Sequence, residues 1–178
     1  MIFRHFIAFS FLLLTGCELS GNIGPDGQPL RRIYYINSYD TGKIQFNLLD
    51  GINTIRNARG LVPVKLSAEL NAAAATHSRD MAMQSRAWHF GSDGSSPLER
   101  IKRVGYNGRM LGENISETFE SELETLAAWM ENPNTRGIIM SEAIREVGFS
   151  WHQESNGKIW WTLVTAVSYT HLTLPTKA

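Results

Sequence analysis

The run Trp88-His89-Phe90-Gly91-Ser92-Asp93-Gly94-Ser95-Ser96-Pro97 leads through a short charged segment and Gly105-Tyr106 to Leu111-Gly112-Glu113-Asn114. This stretch joins a helical half of the chain to a strand-rich half. It holds an imidazole, His89, near one end and a carboxyl, Glu113, near the other. Two such groups, distant in sequence but brought together by folding, are the raw material of an acid/base or metal site. Within the stretch, Ser96-Pro97-Leu98-Glu99 is a capping box with proline at the first helical position, which predicts a short helix to Val104. Gly105 to Gly108 then turns the chain.

Upstream, Leu48, Leu49, Ile52 and Ile55 recur at helical spacing and predict an amphipathic helix over Lys43 to Ala58, closed by Gly60. Leu61-Val62-Pro63-Val64 is extended, because proline disfavours helix in the residue before it. Ser67 caps a second helix from Ala68 to about Ser85, with Leu70, Ala74, His77 and Met81 on one face. On that face His77 reads as a satisfied, partly buried histidine, and Arg79 with Asp80 as a solvated or capping pair. Downstream, Ser121-Glu122-Leu123-Glu124 is a second capping box that opens a helix through Met130, ended by Asn132-Pro133-Asn134. Ile138-Ile139-Met140 suggests a further helical turn and Val147 to Trp151 a strand. Asn156-Gly157 is a hairpin turn, so Lys158 to Val167 is the return strand. Helices first, then strands with a helix between them, indicate an α+β layered domain.

The chain has 178 residues, enough for one domain with a single core after a leader is subtracted. Hydrophobic residues at 43% and charged residues at 19% are globular values and argue against a disordered chain. Seventeen basic and seventeen acidic residues cancel, so no bulk charge draws the protein to nucleic acid.

Arg4 and His5 precede Phe6 to Leu14, an apolar run too short to span a bilayer and of signal-peptide size. It ends in Leu14-Thr15-Gly16-Cys17, which resembles a bacterial lipobox. Residues 1–16 are therefore expected to be a lipoprotein signal peptide and Cys17 the site of lipid (palmitate) attachment. Cys17 is the only cysteine, so no internal disulfide can form. Acyl chains hold firmly, because each buried methylene contributes about 0.8 kcal/mol. Glu18 after the cysteine, in place of Asp, points by analogy with sorting signals to the outer membrane. Residues 17–42, rich in Gly, Pro, Ser and Asn, form the anchor and tether. Residues 168–178 extend no earlier pattern and read as a non-native tail.

An ordered set of short pieces carries a resemblance. They are Asn53-Thr54-Ile55-Arg56 before Gly60 to Val64, His77-Ser78-Arg79-Asp80-Met81-Ala82, and His89 through Pro97. Gly105-Tyr106, Gly112-Glu113-Asn114-Ile115, Ala128-Trp129-Met130, Glu146-Val147-Gly148-Phe149 and Trp160-Trp161-Thr162 follow. In that order they resemble the CAP superfamily (cysteine-rich secretory proteins, antigen five, pathogenesis-related proteins) in its short bacterial form, over residues 43–167. The fold implied is an α-β-α sandwich, a central antiparallel sheet between helical layers.

The resemblance also implies a cleft with two His and two acidic residues that holds zinc or another divalent cation in some members. His89 matches the first His and Glu113 the Glu of the Gly-Glu-Asn motif. Glu146 is the best match for the second acid, and Thr135 stands where the second His is usual. His89, Glu113 and Glu146 are thus the candidate metal ligands, with Thr a poor substitute for the missing imidazole. Each has a plainer alternative: His89 as a loop anchor bonded to Glu113, Glu113 as an acceptor of backbone N–H groups, and Glu146 as a solvated strand residue. Ser92, Ser95 and Ser96 lie near His89, but turns and caps explain them as readily as nucleophilic catalysis. Trp129, Trp151, Trp160 and Trp161 read as core and cleft wall.

The expected function is a lipid-anchored, extracytoplasmic module of the cell envelope that binds a lipid, glycan or envelope protein around His89 and Glu113. The alternative is a metal-dependent or His/Glu-assisted hydrolase of peptides or cell-wall material.

Overall fold

A computed structural model describes residues 34–169; the leader, Cys17, most of the tether and the residues after 169 lie outside the described part. Tyr34 to Ile36 lie against the chain's last hairpin. The Tyr35 hydroxyl donates to the Ser155 carbonyl, and Gln153 bonds both the Ile36 N–H and the Tyr34 carbonyl.

Helix α1 (Thr41–Asn57) follows, then a two-residue strand β1 (Lys65–Leu66), α2 (Ala68–Gln84), α3 (Pro97–Arg103) and β2 (Gly108–Glu117). Helices α4 (Glu122–Glu131) and α5 (Pro133–Ile139) lead to the hairpin β3 (Glu146–Gln153) and β4 (Ile159–Ser168). Local chemistry sets most of these boundaries. The Ser67 side chain accepts from Leu70 N–H at the start of α2, and both Ser96 and Ser121 form complete capping boxes. Asn132 ends α4 and, by accepting from Asn134 N–H, starts α5 at Pro133, so the segment read as a stop is a corner between two helices.

The four strands form one sheet in the order β1-β3-β4-β2. β4 pairs antiparallel with both β3 and β2, while β1 adds a short parallel pairing to β3. β4 is buried on both faces from Ile159 to Val167, which is why it reads as a near-continuous apolar run with weak alternation. Side chains alternate between two layers. On one face Val147, Phe149, Trp161 and Leu163 pack with Ile44, Leu48 and Ile52 of α1, Leu126 and Trp129 of α4, and Ile139 of α5. On the other face Val164 and Ala166 pack with Leu70, Ala73 and Ala74 of α2 and Ile101 of α3. The molecule is an α+β protein with helices on both faces of its sheet.

Helix α2 lies very close to the sheet. A Cβ built on Gly148 would stand 2.1 Å from the Leu70 carbonyl carbon and 2.4 Å from the Asn71 backbone nitrogen. The Asn71 side chain also accepts from Phe149 N–H at 2.8 Å, so helix and strand are stitched together where they touch.

Candidate functional site

Three elements converge on Glu113. Register fixes its direction: Glu113 pairs with Val164, and Val164 with Gly148, so its side chain points to the α2 side of the sheet. From α3, Arg100 grips the carboxylate with Nη2, at 2.9 Å from Oε1 and 2.8 Å from Oε2. Its Nη1 reaches the carbonyls of His89 and Ser95 at 3.0 and 3.1 Å. From the loop between α2 and α3, His89 Nδ1 lies 2.9 Å from Glu113 Oε1. Because the carboxylate can only accept, Nδ1 carries the proton and Nε2 is left as an acceptor. Glu113 and Arg100 are buried, whereas the His89 side chain is 51% exposed.

The His89 loop is held from α2. Ser85 takes a left-handed conformation and ends the helix with N–H bonds to Ala82 and Met81 carbonyls. Asp80 accepts from the Ser92 N–H and hydroxyl at 2.7 and 2.6 Å and from Gln84. Of the solvated and capping roles read for the Arg79–Asp80 pair, Asp80 takes one closer to capping: it is a buried loop anchor, because the chain folds back over it. Gln84 also accepts from Trp88 Nε1. The Arg86 guanidinium stacks 4.1 Å from the Trp88 ring centre, and the Phe90 ring lies 5.6 Å beyond. His89 therefore lies on a loop beside an aromatic pair, Trp88 half-buried and Phe90 exposed, whose rings pack on each other.

His77 of α2 completes the buried side of this cluster. It is fully buried, its Nε2 is 3.6 Å from Glu113 Oε1, and neither ring nitrogen makes a hydrogen bond of good geometry within the described residues. The helical pattern predicts this histidine satisfied and only partly buried; the ring is in fact closed in and unsatisfied. Burial pushes the imidazole below its ordinary pKa of 6.5, opposed by Glu113, Asp80 and the Trp88 carbonyl and reinforced by Arg100. The unfolded chain binds the proton near pH 6.5 and the folded chain resists it. Stability is therefore full above that pH and falls as pH drops through it. Urea unfolding at pH 7.5 and pH 5 is expected to show a smaller loss for His77→Phe than for the wild type. An equal loss would show that His77 is not the group responsible.

The remaining candidates lie elsewhere. Glu146 is on the same face of the sheet but two strands from Glu113, and accepts from the Tyr106 hydroxyl at 2.5 Å. Burial and this contact raise the Tyr106 pKa, so the phenol keeps its proton and donates it to Glu146. The Thr135 hydroxyl donates to the Trp129 carbonyl at 2.6 Å, and its own carbonyl accepts from Asn114. Asn114 faces the layer opposite Glu113, so Thr135 belongs to the α4–α5 corner. Ser92 spends its hydroxyl on Asp80 and Ser96 on Glu99, and neither pairs with His89.

These positions test the fit of a divalent cation. Both oxygens of Glu113 are covered by a guanidinium, which a cation would have to displace, and Glu146 is separated from it by β4. Among the described residues no group of three or more His, Cys, Asp or Glu side chains is arranged to hold a metal. The residues present do not fit the ion.

A sequence profile of CAP, the cysteine-rich secretory protein family, matches residues 49–165. This chain belongs to that family. A Bacillus subtilis protein named "Uncharacterized protein YkwD" is 27% identical over 108 residues, covering 61% of this CAP chain and 41% of the relative. The chain thus spans about two-fifths of that relative's length. An outer surface protein of Borrelia burgdorferi superposes with a TM-score of 0.66 at 14% identity, over 77% of this chain and 99% of that one. An extracellular SCP-domain protein of Bacillus anthracis gives 0.63 at 18% identity, over 75% of this chain and 44% of that one. A cysteine-rich secretory protein of Staphylococcus aureus gives 0.60 at 14%, over 79% and 44%. At such identities the likeness is one of fold. Of the residues gathered around Glu113 in this CAP domain, Arg100 carries no motif that marks it in the sequence. Its only local sign was a basic residue inside the last turns of a capped helix.

Proposed function

We propose that this CAP domain is a ligand-binding or interaction module of the cell envelope, lipid-anchored through Cys17, outside the cytoplasm and attached to the outer membrane. One observation carries the binding part: an exposed imidazole, next in the chain to the paired rings of Trp88 and Phe90, lies over a carboxylate already saturated by Arg100. With a guanidinium on both oxygens, that carboxylate has little left to offer a substrate proton. Flanking aromatic rings suit stacking on a sugar ring or lying against a lipid, with His89 Nε2 supplying one directional polar contact. Extracellular and outer-surface proteins among the relatives of like fold support the location.

The test is a binding screen of peptidoglycan fragments and lipid vesicles with the wild type and His89→Ala. Binding is expected to weaken at least about tenfold, while stability falls by only about 1.5–3 kcal/mol, the cost of losing the hydrogen bond to the buried Glu113 carboxylate. Unchanged binding removes His89 from the account. Labelled palmitate is expected in the wild type and absent from Cys17→Ser.

The His89–Glu113 pair also favours a second reading, a His/Glu-assisted hydrolase, since a carboxylate-oriented imidazole with a free Nε2 is how a general base is presented. Turnover of a peptide or cell-wall substrate that His89→Ala abolishes would establish it over the first.

A further inference from the structure

We propose that the hollow between α2 and α3 is a second binding site, for a small organic anion with an apolar body. It encloses about 310 Å³, at the lower end of the roughly 300–1,000 Å³ of small-molecule sites. Neither His89 nor Glu113 lines it, so the proposal stands apart from the reading of the His89 surface.

Helix α2 gives one wall through Ala73, Thr76, Arg79 and Met83, which recur at helical spacing. Val104 closes the opposite wall and Arg103 stands at the rim. The charges sort by what already holds them. Arg100 is committed to Glu113 and two carbonyls, and Asp80 to Ser92 and Gln84. Arg103 bonds Asp93 at 2.5 Å in an exposed pair. Arg79 alone among the lining charges has no hydrogen-bond or ion-pair partner within the described residues. The uncommitted charge of the hollow is therefore positive. The uncommitted apolar surface is the Met83 thioether, 70% exposed, with Ala73 and Val104 beside it. A guanidinium over an apolar wall matches a carboxylate or similar anion carrying a short hydrocarbon portion.

Octanoate, octylammonium and octanol titrated into the full chain labelled with ¹³C-methyl methionine would test this, with the Met83 methyl signal as the local readout. Octanoate is expected to shift that signal saturably at a concentration about tenfold lower than either other probe. Arg79→Gln is expected to erase the preference, and Met83→Glu, which sets a carboxylate at the mouth, to abolish the octanoate response. Thr76→Trp is expected to block all three probes; Thr76 is exposed and bonds only its own helix, so folding is not at stake. His89→Ala is expected to leave the octanoate response intact. No shift with octanoate, an equal response to the three probes, or persistence in Thr76→Trp would overturn the proposal.

Discussion

Arg100→Leu is expected to lower folding stability by about 3–5 kcal/mol, the range for removing one partner of a buried ion pair. The Glu113 side chain is 2% exposed and takes two of its hydrogen bonds from this guanidinium. Without it the carboxylate stays in a low-dielectric pocket with His89 as its hydrogen-bond partner and His77 nearby among the described residues. It would then draw water into the gap between α2 and the sheet. Arg100 also holds the carbonyls of His89 and Ser95, so the loop loosens in the same step. Arg100→Lys recovers little, since an ammonium cannot span two carboxylate oxygens and two carbonyls at once. The pairing itself is separable from the packing: Arg100→Leu combined with Glu113→Leu is expected to restore more than half of the loss. Urea midpoints of the four proteins decide it. A single substitution costing under about 1 kcal/mol would mean the carboxylate is effectively solvated.

Gly148→Ala is expected to destabilise by about 3 kcal/mol or more, at the upper end of overpacking effects. The added methyl meets the backbone of α2 at Leu70 and Asn71, and backbone cannot rotate aside as a side-chain tip can. Helix α2 must lift from β3, breaking the Asn71–Phe149 bond and moving His77 away from Glu113. Gly137→Ala in α5 is the matched control, because nothing lies within 4 Å of a Cβ there; it is expected to stabilise by roughly 0.5–1 kcal/mol through lost unfolded-state freedom. Thermal unfolding of the two variants side by side gives the contrast. Equal midpoints would mean that α2 yields freely.

Where caps and apolar period agreed, the sequence was easy to read. The helices opened by Ser67, Ser96 and Ser121 begin where their side chains bond the backbone, and the Asn156-Gly157 turn lies between β3 and β4. Strand β2 was hidden, although it carries Glu113. Gly108, Gly112, Glu113 and Asn114 are poor strand formers, and an irregularity between Met110 and Gly112 breaks the alternation. Tertiary pairing with β4 makes the strand, and no local pattern reports that. The same holds for Arg100 and His77. Spacing places His77 on an inward face, but only the docking of α2 on the sheet leaves its ring nitrogens without a hydrogen bond among the described residues. The motif match to His89 and Glu113 named two side chains in contact, while Glu146 and Thr135 were matched by position along the chain and stand apart in space.

The middle strand of the sheet, β4, is the last described element in the chain. Its partners β2 and β3 do not pair with one another, so beyond the short β1–β3 pairing the sheet cannot assemble until residue 159 and those after it have been synthesised. A growing chain would carry little more than helices until then, with Trp161 still to arrive in the core beneath α1 and α4. Completion of the sheet therefore comes in a single late step, and a chain cut short before β4 lacks the strand that joins β2 to β3.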